Sequence, residues 1–123
     1  MKNNEINLEK ELHKVIIEAI KSKKGKEIVS IDLEKIDNSV CDYFIICHGE
    51  STTQVGAIVN EIRDKAKESL GIYVDHIEGQ QNSNWVLLDY IGIVVHVFLK
   101  EQRDFYRLED LWADGKITHH SNA

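Results

Sequence analysis

Trp85-Val86-Leu87-Leu88-Asp89-Tyr90-Ile91-Gly92-Ile93-Val94-Val95-His96-Val97-Phe98-Leu99 decides how the rest of the chain is read. Two runs rich in β-branched and aromatic residues flank a short turn holding glycine, the pattern of an antiparallel hairpin. Both runs are apolar at odd and even positions. A strand puts successive side chains on opposite faces, so this hairpin carries apolar surface on both. It therefore needs cover on both, from helices or from a partner.

Upstream lie the elements that could supply the cover. Leu8, Leu12, Val15, Ile16, Ala19 and Ile20 recur at helical intervals, with Asn7 as an expected N-cap and Lys21, Lys23, Lys24 and Gly25 at the far end. From Ile28 to Ile36, Val29, Ile31 and Leu33 alternate with Ser30, Asp32 and Glu34, which predicts a strand with one wet face. After an expected turn at Asp37, Asn38 and Ser39, Tyr43 to Cys47 is a continuously apolar strand expected to be covered on both sides. Ser51-Thr52-Thr53-Gln54 has the form of a capping box. It opens a second helix with the stripe Val55, Ile58, Val59, Ile62 and Ala66, closed by Gly71. Ile72 to Ile77 predicts a third strand before the hairpin.

Downstream, Phe105, Leu108, Leu111 and Trp112 mark a short third helix, with Asp104 in its first turn and Gly115 closing it. The order is α-β-β-α-β-β-β-α. It predicts one α+β domain over residues 1–115, a mixed five-stranded sheet flanked by helices, with residues 116–123 as a flexible tail. Three helices cover both faces of such a sheet incompletely, which leaves an apolar strip around Trp85 as an expected interface. Asp89, Tyr90, Arg103 and Tyr106 are its nearby polar handles. The plainer alternative is that Trp85 is simply core.

A chain of 123 residues with a net charge of −6, 42% hydrophobic and 29% charged residues, has the makeup of a single soluble domain. Its acidic balance argues against DNA or RNA as the main partner, since that mode needs surplus Lys and Arg. It suits a basic protein surface. The cysteines, Cys41 and Cys47, fall on one face of an extended strand about 20 Å apart, beyond disulfide reach, and are expected as buried free thiols of a reducing compartment. Met1 to Glu11 has no apolar core for a signal peptide, and no run is long enough for a membrane span. A cytoplasmic protein is the expectation.

Catalytic motifs are weak. Gly49 and Ser51 precede a helix, yet no P-loop or G-x-G-x-x-G accompanies them, so a capped turn explains them more simply than a phosphate site. Asp32, Asp42, Asp75 and Asp89 stand alone on their segments, without the paired carboxylates of two-metal chemistry. Cys47, His48, His76 and His96 lack metal-ligand spacing, the His119-His120 pair reads as solvated, and Cys47 and His48 point to opposite faces of a strand. No catalytic residue, metal or cofactor is expected.

Three blocks together resemble a known family. They are Trp85 to Tyr90 with Val94-Val95-His96-Val97-Phe98; Arg103, Phe105, Tyr106, Leu108, Glu109, Leu111 and Trp112; and Asp42-Tyr43-Phe44-Ile45-Ile46 followed by Gly49, Ser51, Gln54 and Val55, with Glu78-Gly79 before Trp85. They resemble the ribosomal silencing factor (Iojap) family from about Leu8 to Asp114. The resemblance implies a nucleotidyltransferase-like fold without catalytic acids, and a homodimer that is not an enzyme. It implies binding to the large ribosomal subunit through its protein numbered fourteen, steric block of small-subunit joining, and repression of translation when nutrients are scarce, with rRNA contact at most peripheral. Trp85, Leu87, Leu88, Asp89, Tyr90, Arg103 and Tyr106 are the residues expected to meet the ribosomal protein. Two departures stand out: Ile91-Gly92 replaces the usual Gly-Asp type turn, and His48 and Glu50 replace smaller residues. A nucleotide-handling enzyme using the Gly49–Ser51 turn is the alternative.

Overall fold

The computed structural model describes residues 2–36, 39, 41–112 and 114–121, with side chains from Leu8 onward. Its elements run α1 (Lys2–Ser22), β1 (Lys26–Asp32), β2 (Tyr43–Gly49), α2 (Thr52–Leu70), β3 (His76–Glu78), β4 (Trp85–Asp89), β5 (Ile93–Leu99), α3 (Lys100–Tyr106), α4 (Leu108–Leu111) and β6 (Lys116–His120). The strands form one sheet in the order β3-β4-β5-β2-β1-β6. Only β2 and β5 pair in parallel; every other neighbour is antiparallel. The α+β reading with a mixed sheet stands, with six strands rather than five.

The sixth strand corrects the expected flexible tail. Lys116 to His120 pairs with β1 from Ile28↔His120 to Asp32↔Lys116. Five residues with two adjacent histidines carry no local strand signal; what orders them is the open edge of β1. Other differences are local. Helix α1 starts at Lys2, so Asn7 lies inside it rather than capping it. Strand β1 ends at Asp32 and β3 shrinks to His76–Glu78. The expected third helix is two short ones, broken at Arg107, whose φ of 47° is left-handed. Asp37 and Asn38 of the expected turn lie outside the described residues.

Helix α2 starts and stops as its sequence dictates. The Ser51 hydroxyl accepts from the Gln54 amide at 3.1 Å, and the Gln54 side chain accepts from the Glu50 N–H at 2.8 Å. Its amide group also donates to the Lys23 and Lys24 carbonyls, tying the end of α1 to the start of α2. Gly71, at φ 66°, closes the helix: its N–H donates to the Lys67 carbonyl at 2.9 Å and the Ile72 N–H to the Ala66 carbonyl at 3.2 Å.

Both long helices lie on one face of the sheet. Ile16, Ile20, Ile58 and Ile62 pack there with Ile45, Cys47, Val86, Leu88, Val95 and Val97. The opposite face holds a smaller core: Val29, Ile31, Leu33, Phe44, Ile46, Val94 and Phe98, with Trp85, Leu87, Leu108 and Trp112 half-buried beside it. Both cysteines are buried free thiols, as expected, but they fall in different cores, because Cys41 precedes the start of β2.

The β4–β5 turn is strained. Gly92 donates to the Tyr90 carbonyl at 3.0 Å, a three-residue γ-turn that places Ile91 at φ 74°. Positive φ on a β-branched residue costs about 1–3 kcal/mol. Ile91 is 69% exposed, so its side chain recovers little by burial. Ile91→Gly is therefore expected to stabilise the protein by about 1 kcal/mol after glycine's own entropic cost, raising Tm by about 4 °C in a thermal melt. Gly92 is needed for another reason: a Cβ there would run into the Glu9 carboxyl.

That carboxyl ties α1 to the sheet. Burial, a hydrogen bond to Asp42, and repulsion from Asp42 and Glu34 push the Glu9 pKa up from 4.5 to about 7. The folded state thus holds a proton that the unfolded chain releases earlier. Stability is full below about 4.5 and falls as pH rises through about 7. Glu9→Gln keeps a donor for Asp42 and removes the charge. Melts of this variant are expected to match wild type at pH 4.5 and exceed it at pH 8.

Candidate functional site

The hairpin separates the residues expected at the interface. Along β4, Trp85, Leu87 and Asp89 face away from the long helices, while Val86, Leu88 and Tyr90 face toward them. Leu88 is fully buried and Tyr90 nearly so, both inside the helix-side core. They are not surface contacts. Strand alternation predicts this split, but with both faces apolar it does not say which face carries the helices.

On the other face an aromatic strip runs from the hairpin to α3. Trp85 stacks on Phe98 with ring centroids 4.9 Å apart and meets Tyr106 at 4.8 Å. Its indole N–H donates to His96 Nδ1 at 3.1 Å, which leaves the imidazole proton on Nε2. Phe44 meets His96 edge-on at 5.0 Å and Trp112 edge-on at 5.3 Å. Burial pushes the His96 pKa down to about 4, so the ring stays neutral and acts as an acceptor for the tryptophan. The expectation of a core histidine held by one hydrogen bond is met. Trp85 is half-buried, part of the small core and part of the surface.

Arg103 is not a surface handle either. At 6% exposure it reaches under the end of the sheet. One terminal nitrogen donates to the Glu27 carbonyl at 2.7 Å, the Lys26 carbonyl at 3.3 Å and His48 Nδ1 at 3.0 Å. The other pairs with Glu109 at 3.4 Å. The register of β1 shifts between Lys26 and Val29, and Glu27 sits at φ 49°, so its carbonyl has left the normal ladder and is met by the guanidinium. His48 is thereby a partner of Arg103. Burial and the guanidinium hold its pKa below the usual 6.5.

With Arg103 as anchor and Arg107 as hinge, the α3–α4 segment presents its apolar side chains outward. Phe105 is 77% exposed, Leu111 74% and Tyr106 46%, and the Phe105 and Tyr106 rings are 5.1 Å apart. By their spacing Phe105 and Leu111 mark a single short helix, with no face of it assigned. The break at Arg107 turns them to solvent, and no local signal announces that break. Asp89 remains half-exposed, with one oxygen accepting from the Ile91 N–H at 2.7 Å. Exposed Glu101, Asp104 and Asp110 add negative charge beside the strip, partly matched by Lys100 and Arg107. The surface is apolar and aromatic at its centre with acids at its edge, an arrangement suited to docking on a basic protein.

The Gly49–Ser51 turn is accounted for by the cap of α2. Among the described residues no group of three or more His, Cys, Asp or Glu side chains is placed to hold a metal ion, and no helix is long and apolar enough to cross a membrane.

Comparison with known proteins agrees with this architecture. Residues 6–122 match the family model described as ribosomal silencing factor during starvation. A ribosomal silencing factor RsfS of Bacillus subtilis is 44% identical over 109 residues, covering 89% of this chain and 91% of the relative. The chloroplastic protein Iojap of Arabidopsis thaliana is 40% identical over 73 residues, 59% of this chain and 30% of the plant protein. A crystal structure of a protein from Chromobacterium violaceum superposes with a TM-score of 0.80 at 37% identity, covering 91% of this chain and 92% of the other. With its sheet, its aromatic face and these matches taken together, the chain belongs to the ribosomal silencing factor family.

Proposed function

We propose that the protein binds the large ribosomal subunit through the face formed by Trp85, Leu87, Asp89, Tyr106, Phe105 and Leu111, docking on the subunit's protein numbered fourteen. It acts in the cytoplasm as a steric wedge: while bound it prevents the small subunit from joining, and translation falls when nutrients are scarce. It turns over no substrate, because occupancy alone excludes the small subunit. The observation that carries this reading is the exposed Phe105–Tyr106 pair resting on the stacked Trp85, with acids around it, in a chain of this family. Apolar patches of this kind on a soluble domain mark interaction sites.

The same face would be covered in a homodimer, and crosslinking with and without large subunits separates the two uses. For the ribosome itself, protein is added to purified subunits and joined ribosomes are measured by sedimentation. Joined ribosomes are expected to decrease as the protein saturates the large subunit, with crosslinks from the Phe105 face to one ribosomal protein. Unchanged joining at saturating protein overturns the proposal.

A further inference from the structure

The strand that the sequence hides builds a second feature on the helix side of the sheet. Antiparallel pairing with β1 sets Lys116, Thr118 and His120 opposite Asp32, Ser30 and Ile28. Ile28 packs in the helix-side core, so these alternate β6 residues face α1. From α1, Lys10, His13 and Lys14 fall one turn apart on the same face. Between them lies a groove of about 300 Å³, floored by Ser30 and walled at one end by Tyr43. We propose that this groove is a binding site for a phosphate-bearing ligand, seated between Lys10, Lys14 and Lys116 and met by the Ser30 and Thr118 hydroxyls and the His13 and His120 imidazoles.

Charge and chemistry point the same way. The chain is acidic overall, at −6, yet three lysines line this groove with one carboxylate, Asp32, and a second, Glu34, at its end accepting from the Tyr43 hydroxyl at 2.6 Å. A concave site lined by one sign of charge concentrates the opposite ion. Ser30 is a buried hydroxyl at a strand position flanked by isoleucine and valine, and its Oγ lies 2.9 Å from His120 Nε2. The His13 ring lies 5.9 Å from that of His120 and 5.3 Å from that of Tyr43. Donors in excess over acceptors are what a phosphate requires, with hydroxyls and neutral imidazoles able to add directed hydrogen bonds. The volume accommodates a phosphate or diphosphate moiety, with any sugar or chain running out to solvent.

The histidines supply the readout. Burial and then the neighbouring His120 lower the His13 pKa below 6.5; burial, then Lys21 and His119, lower that of His120. Lys10 and Lys14 of α1, Asp32 of β1, Tyr43 of β2 and Lys116 of β6 also face the pair. An anion placed among them favours the protonated rings, so it raises both pKa values and, by linkage, binds more tightly as pH falls.

The test is histidine NMR on the full chain at low salt, titrated with pyrophosphate. Saturable shifts are expected at His13 and His120 and not at exposed His76, with affinity rising from pH 7.5 to pH 6. The double variant Lys14→Gln, Lys116→Gln changes only exposed side chains and is expected to keep the wild-type Tm while weakening binding by about tenfold. Parallel titrations with a nucleoside triphosphate and with a short RNA distinguish a free nucleotide from an RNA backbone as source; tighter binding of either supports the site. Shifts that never saturate with any of the three probes, or equal affinity in the double variant, overturn it. Neither result bears on subunit joining, which is read separately.

Discussion

Arg103→Ala is expected to destabilise the protein by about 3–5 kcal/mol, the loss typical of removing one partner from a buried charged network. The guanidinium joins the Lys26 and Glu27 carbonyls, His48 and Glu109. Its removal leaves the buried His48 ring and the half-buried Glu109 carboxylate without this partner. The other Glu109 carboxylate oxygen is already buried without a partner, so the charge would have no compensation. Urea unfolding should show a lowered midpoint with an unchanged slope, and Tm should fall by more than 10 °C, at about 4 °C per kcal/mol. Arg103→Lys keeps the charge but offers no planar fork, so it should recover only part of the loss. A change below about 1 kcal/mol would show that the contact network does not hold α3 in place.

Phe105→Ala should do the reverse. The ring is 77% exposed, so folding stability should move by no more than about 0.5 kcal/mol. If the face docks as proposed, an aromatic anchor at its centre is worth about 2–4 kcal/mol on truncation. That corresponds to a loss of large-subunit affinity of about 30- to 1000-fold, with joined ribosomes recovering at protein concentrations where wild type suppresses them. Leu111→Ala, equally exposed, should act in the same direction and less strongly. Trp85→Ala is a poorer probe, because its stacking on Phe98 and its bond to His96 mix stability with binding. Wild-type inhibition by Phe105→Ala together with Leu111→Ala would remove this face as the docking surface.

The contrast between these two residues shows how far the sequence reaches. Both stand in the block Arg103 to Trp112, which resembles the family pattern; from the sequence Arg103 is an expected surface handle and Phe105 only one mark of a short helix. The structure buries the first and exposes the second. Arg103 finds acceptors on β1 and β2, some 55 to 77 residues away along the chain. Phe105 turns outward because the helix breaks at Arg107. Leu88 and Tyr90 went the same way: alternation placed them together, and only the position of α1 and α2 decided that their face was the sealed one.

What the sequence determined by itself was local: the Ser51–Gln54 box, the Gly71 stop, the apolar stripe of α2 and the β4–β5 hairpin are set by contacts between residues a few positions apart. Tertiary structure decided the rest. The pairing of Lys116–His120 with β1, the burial of Arg103, the exposed aromatic face and the lysine-lined groove all depend on groups distant in sequence meeting across the sheet. Backbone and side-chain polar groups must find partners once water is excluded, and which partner is within reach is fixed by strand order and helix placement rather than by neighbouring residues.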